Sequence, residues 1–155
     1  MKNNQSLPIL IAEDSDEDFD VLVLTFRRCN IVNPVLRCES GEEVLTTLDR
    51  ISDAKEGLPC LIFLDLNLIG LDGREVLKSL KTSSVYKHIP VIVLTTSANP
   101  KDVNFCYETG ANSYSVKPVD LEKFENFIGL IKSYWFDHSV LPMPLATEMS
   151  RRNYV

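Results

Sequence analysis

Three well-separated stretches of this chain end a continuous apolar run in a polar residue: Leu10-Ile11-Ala12-Glu13-Asp14, Leu61-Ile62-Phe63-Leu64-Asp65 and Val91-Ile92-Val93-Leu94-Thr95. A shorter fourth stretch ends in Lys117-Pro118. Unbroken apolar runs of this length are what strands buried on both faces look like, and such strands belong to parallel sheets covered by helices on either side. In open sheets of that kind ligands sit beyond the carboxyl ends of the strands. The polar residues closing the runs are therefore expected to converge, setting carboxylates, a hydroxyl and an ammonium face to face. That set suits a divalent cation and a phosphoryl group.

Strand-like and helix-like stretches alternate five times, which predicts an α/β, doubly wound (βα)5 arrangement. The first helix is expected to start at Ser15-Asp16, with Ser15 and Asp18 in a loose capping box and Phe19, Leu22, Val23 and Phe26 facing the sheet. A second strand over Val35 to Cys38 leads at Ser40-Gly41 into a helix carrying Val44, Leu45 and Leu48, and Asp53 to Pro59 reads as a polar turn. The third helix, after the Gly70 to Gly73 loop, carries Val76, Leu77 and Leu80. Pro100 suits the first turn of the fourth. Its core side is expected to be Val103, Cys106 and Tyr107, with Phe105 projecting away. The fifth strand spans Ser113 to Val116, and the fifth helix, from about Asp120, lines up Leu121, Phe124, Ile128, Ile131 and Trp135. A second apolar stripe, Phe127, Leu130 and Tyr134, lies about 90° away on the same helix, wider than one sheet-facing surface needs.

Composition narrows the function. At 155 residues the chain suits one domain with a full core. A formal net charge of -6 argues against a nucleic-acid binder or an anionic membrane surface as partner. Cys29, Cys38, Cys60 and Cys106 show no C-x-x-C spacing and read as buried free thiols, in keeping with a reducing cytoplasm. The amino-terminal apolar run is too short for a signal peptide or membrane span.

The carboxylates explain why a cation is expected. Brought to about 4 Å, each like-charge pair among Glu13, Asp14 and Asp65 costs about 1 kcal/mol in water and about 4 at an effective dielectric near 20. Magnesium favours hard oxygens, few carboxylates and retained waters, which fits this set better than a calcium cage. A carboxylate beside such an ion can attack phosphorus to give an acyl phosphate, and Asp65, on the central strand, is the best candidate. Thr95 would add a hydroxyl and Lys117 a point charge. Singly, each of these residues is more simply a helix cap or a solvated side chain; their order and strand context argue otherwise. The Lys117-Pro118 bond is expected to be cis, fixing a sharp turn that aims the amine inward.

With these motifs in place, the chain resembles the response-regulator receiver family of two-component signalling over all but its tail. The match lies in Glu13-Asp14, Asp65, Thr95 and Lys117-Pro118, in that order, with Asp72-Gly73 as a loop signature. The resemblance implies a flavodoxin-like fold with strand order 2-1-3-4-5, a receiver over residues 1–136 and a short tail, 137–155, with no output domain. It implies that a histidine kinase phosphorylates Asp65, that Asp14, Asp65 and the backbone carbonyl of Asn67 hold Mg2+, and that Glu13 helps through water. Thr95 and Lys117 would stabilise the phosphoryl group, and Tyr114 would turn inward on phosphorylation. Asp65-Leu66-Asn67-Leu68, Asp72-Gly73-Arg74-Glu75-Val76-Leu77 and Tyr134-Trp135 look most like the stand-alone regulators paired with bacterial and cyanobacterial phytochromes. That likeness implies a red-light-sensing kinase and a homodimer through the fourth helix, fifth strand and fifth helix, with Phe105, Phe127, Leu130 and Tyr134 on the shared face.

Two other functions compete. A magnesium-dependent phosphohydrolase with an aspartyl nucleophile would place an acid/base carboxylate two residues after it, where this chain has Asn67. A dinucleotide binder needs a glycine-rich turn after the first strand, where Glu13-Asp14-Ser15-Asp16 stands instead. A switch with no enzymatic turnover beyond slow autodephosphorylation is the expected function. The tail could instead fold back over the second stripe through Leu141, Met143 and Leu145.

Overall fold

A computed structural model describes residues 6–142. Strands and helices alternate from the start: β1 (Ile9–Ala12), α1 (Asp16–Arg28), β2 (Val35–Cys38), α2 (Gly41–Asp53), β3 (Leu61–Leu64), α3 (Gly73–Thr82), β4 (Val91–Thr95), α4 (Pro100–Thr109), β5 (Ser113–Val116) and α5 (Leu121–Lys132). The strands form one sheet in the order β2-β1-β3-β4-β5, and every pairing is parallel, as the sequence predicts. The three most apolar strands, β1, β3 and β4, occupy the middle and are buried throughout. The less apolar β2 and β5 form the half-buried edges.

Successive residues of a strand point to opposite faces. Here that alternation sorts the core into two layers. Leu10, Ala12, Ile62, Leu64, Val91 and Val93 pack with Val44 and Leu48 of α2, Val76, Leu77 and Leu80 of α3, and Cys106 of α4. Ile9, Ile11, Leu61, Phe63, Ile92 and Leu94 pack on the other face with Leu22 and Phe26 of α1 and Phe124, Ile128 and Ile131 of α5. Each such side chain contributes about 1.5 to 3 kcal/mol when fully buried, so the two layers dominate stability.

Helix ends follow local chemistry. Ser15, Ser40, Asp72, Asn99 and Asp120 each accept a hydrogen bond from a backbone N–H of the first turn that follows. Gly110, at φ 114°, closes α4 in the left-handed region. The capping box at α1 is only half made. Ser15 accepts from the Asp18 N–H at 3.3 Å, but the Ser15 N–H donates to Glu13, leaving the Asp18 carboxylate for another partner.

Several expectations need correction. On α4 only Cys106 is fully buried; Phe105 turns inward against the core and Tyr107 is 52% exposed, the reverse of the predicted orientation. The cause is packing: α4 rests on α3 and the edge strand β5, so the buried arc of its surface is narrow and rotated towards Phe105. On α5, Phe127 leaves the second stripe and packs edge-on against Phe124 at 6.4 Å between ring centres, while Leu130 and Tyr134 stay 70% and 59% exposed. Helical structure does not stop at Trp135; a wider π-helical turn carries it over Ser133–His138. Leu58, in the predicted polar turn, is completely buried.

Beyond that turn Leu141 returns into the α1/α5 layer, and Pro142 lies beside Pro59 and Pro90 at the amino-terminal rim of the sheet. Met143 and Leu145 lie outside the described residues. Leu141→Ala is expected to lower unfolding free energy by about 2 kcal/mol or more, because the plug leaves a cavity. Urea denaturation checks this as a fall in midpoint at unchanged slope.

Candidate functional site at the carboxyl rim of the sheet

The ladder runs one residue past three of the strands. Glu13 N–H donates to Cys38 O, Asp65 N–H to Ala12 O and Lys117 N–H to Thr95 O, so each residue is held at the same rim in its strand's alternation. Glu13 and Asp65 therefore continue the face of Ile11 and Phe63, towards α1 and α5, and Lys117 continues the matching face of β5. Register and pleat together bring them into contact. The Lys117 Nζ donates to Glu13 Oε2 at 2.7 Å, to Asp65 Oδ2 at 2.9 Å and to Asp18 Oδ2 at 2.7 Å. Asp14 joins from the rim, and one oxygen each of Glu13, Asp14 and Asp65 lie within 4.8 Å of one another.

Glu13 and Asp65 are 5% and 6% exposed. Burial pushes Glu13 up to about 7, against the opposing pull of Lys117 and the Ser15 N–H. Burial acts on Asp65 in the same sense, but hydrogen bonds from Lys117 and from the Asn67 N–H outweigh it and hold that carboxyl below its ordinary value. For Lys117, burial disfavours the ammonium, yet Asp18, Asp65 and Glu13 outweigh it and raise its pKa above that of free lysine.

Thr95 and Tyr114 sit on the other face. Thr95 shares the alternation of Val91 and Val93, and Tyr114 pairs with Val93 and packs against the α2/α3/α4 layer. The Thr95 hydroxyl is fully buried and has no hydrogen-bond partner among the described residues. The Tyr114 hydroxyl donates to the Ser97 carbonyl at 2.7 Å, so the ring points at the loop after β4. Asn67 is exposed and meets Asp65 through its backbone N–H. His88 and His138 are exposed and stand apart from the site.

The Lys117-Pro118 bond is trans, contrary to expectation, as are all described peptide bonds. No sharp turn is needed. The ladder bond to Thr95 and three carboxylates already direct the side chain, and a trans proline is the default where nothing demands otherwise. Asp18 was missed as a site residue. Its signal was its place in the first turn of α1, three residues after Ser15, which sets a further carboxylate beside the rim.

The donor set fits a hard divalent cation: carboxylate oxygens from two adjacent strand ends, too few to enclose the ion and so leaving room for water and a phosphoryl oxygen. Glu13, Asp14 and Asp65 are the carboxylates that could hold it. Such an ion would neutralise charge on a transferring phosphoryl group.

Residues 9–128 match the model of the response regulator receiver domain. The chain belongs to that family. The receiver is 34% identical to Response regulator Rcp1 of Synechocystis sp., covering 91% of this chain and 97% of that protein. It is 32% identical to the probable methanogenesis regulatory protein FilR2 of Methanothrix harundinacea, covering 88% of each. In three dimensions it matches the phosphorylated cyanobacterial phytochrome response regulator RcpA with a TM-score of 0.81 at 32% identity, covering 88% of this chain and 99% of that one. Mn2+-bound Rcp1 matches at 0.80 and 34%, with the same coverage. The receiver thus has relatives among phytochrome-linked stand-alone regulators, and phosphorylation of an aspartate with Mg2+ is general to the family. Among the described residues no helix is long and apolar enough to cross a membrane.

Lys117→Met strands two buried carboxylates without their counter-charge. In metal-free buffer at pH 8 it is expected to destabilise the fold by about 3 kcal/mol. Adding Asp65→Asn should recover part of the loss, as read by urea unfolding of the single and double variants.

Proposed function

We propose that this receiver is a phospho-accepting switch whose acceptor is Asp65. The observation that carries the reading is the Lys117 ammonium held between Glu13 and Asp65, beside the Asp14 carboxylate. The donor is a histidine kinase. An oxygen of Asp65 attacks phosphorus, the phosphorus–nitrogen bond of the phosphohistidine breaks, and its electron pair stays with the imidazole, which takes up a proton. Asp14, Asp65 and the Asn67 carbonyl would hold Mg2+, with Glu13 assisting through water, and the bound ion would offset charge on the phosphoryl oxygens. Lys117 lies within reach to meet one of those oxygens, and the unpartnered Thr95 hydroxyl can donate to another. With the phosphoryl group in place, Thr95 and Tyr114 carry the change to the α4, β5 and α5 surface.

A phosphohydrolase fits less well. Asn67 puts an amide two residues after the nucleophile, where that reading needs an acid/base carboxylate, and only slow autodephosphorylation is expected. The phytochrome-linked relatives support a phytochrome as the kinase. The exposed Leu130 and Tyr134 support a homodimer through α4, β5 and α5, with Phe105 and Phe127 in supporting positions because both lean into the core.

Asp65→Asn is expected to abolish Mg2+-dependent labelling by acetyl phosphate while leaving the fold intact; undiminished labelling would move the acceptor elsewhere. Mg2+ at about 100 times its dissociation constant should stabilise the protein by about 2.7 kcal/mol. Asp14→Asn should remove most of that gain in thermal unfolding. Leu130→Glu combined with Tyr134→Glu should convert dimer to monomer, which sedimentation equilibrium reads directly.

A further inference from the structure

The motif Asp72-Gly73-Arg74 contains one residue that the phosphorylation chemistry does not use. Arg74, on the first turn of α3, reaches across to Asp102 on the first turn of α4: Nε donates to Oδ1 at 2.9 Å and Nη2 lies 2.8 Å from the same oxygen. Both side chains are largely shielded, at 28% and 17% exposure. Nη1 also donates to both oxygens of Asp72, the α3 cap, which fixes the guanidinium plane.

Each end of this ion pair is tied to a loop of the site. At one end, the Gly73 N–H donates to the Leu66 carbonyl, and α3 starts so close to β3 that a Cβ on Gly73 would collide with the Asp65 carbonyl oxygen. At the other, Asp102 Oδ2 accepts from the Ser97 hydroxyl at 2.6 Å. That bond and Arg74 hold the Asp102 carboxyl below its ordinary range. Ser97 lies two residues after Thr95, its hydroxyl accepts from the Asn99 N–H, and its carbonyl takes the Tyr114 hydroxyl. The loop that follows Asp65 and the loop that follows Thr95 are thus joined through the Arg74–Asp102 pair.

We infer that Arg74 and Asp102 form a clasp that positions the loop after β4, so that movement of Thr95 towards a group on Asp65 is transmitted to α4 instead of being absorbed by loop slack. This rests on the proposed role of Asp65 as acceptor. A loop held at Ser97 by a rigid, charge-assisted pair has little freedom to deform locally. Displacement at Thr95 then has to move Ser97, Asp102 and the start of α4 together. Arg74 and Asp102 are positioning residues; neither contacts the acidic cluster.

The test uses the full chain with Arg74→Met, Asp102→Ala and the double variant, each with and without Mg2+ and acetyl phosphate. Hydrogen exchange is followed over residues 96–109. Loss of labelling in Asp65→Asn tests the acceptor reading by itself, and exchange of the untreated protein tests the clasp by itself. Each single variant is expected to label to within about twofold of wild type, yet to exchange about tenfold faster over residues 96–99 before labelling. The labelling-dependent change over residues 100–109 should shrink severalfold. The double variant should match the more severe single one, because both remove the same interaction. Arg74→Lys, which keeps the charge but loses the planar fork, should recover only part of the effect. Exchange in the untreated variants equal to wild type, or effects that add in the double variant, would overturn the clasp.

Discussion

One ammonium group, that of Lys117, makes the carboxyl rim of this sheet possible. Glu13 and Asp65 close neighbouring central strands and are both nearly buried, and two such charges in contact would repel by about 4 kcal/mol at an effective dielectric near 20. Lys117 bonds to both and to Asp18 besides, so the strand ends can stand in register. The compensation is incomplete. With Asp14 counted, four carboxylates face one lysine, and that surplus of negative charge is what a cation would neutralise.

Much of this could be read from the sequence because it depends on one-dimensional pattern. Apolar runs identify buried strands, their closing residues lie at one rim in any parallel sheet, Ser15 and Ser40 mark helix starts by local hydrogen bonding, and Pro100 marks one by its fixed φ. What escaped depends on rotation about a helix axis. A turn of about 100° per residue separates Phe105 from its neighbours, and only the placement of α4 against α3 and β5 decides which of them faces inward. Phe127 was misplaced for the same reason. Asp18 escaped differently: a carboxylate at the third residue of a helix reads as a cap, and only the position of Lys117, 99 residues away, gives it another partner.

The clasp between α3 and α4 belongs to the same level of organisation. Glycine at position 73 lets α3 begin against the backbone of Asp65 and Leu66, where a side chain would collide. Arg74 follows immediately, and its reach to Asp102 depends on that close approach. The Asp72-Gly73-Arg74 motif thus combines a cap, a steric allowance and a tether in three consecutive residues.

The pleat has a final implication. Glu13, Asp65 and Lys117 belong to the side of the sheet shared with α1 and α5, whereas Thr95 and Tyr114 belong to the side shared with α2, α3 and α4. The sheet is therefore a wall between an acidic compartment and a hydroxyl-lined one. Asp65 stands on the parapet, so on the proposed role of this residue as acceptor a single small anion there would join two halves of the molecule that the strands otherwise keep apart.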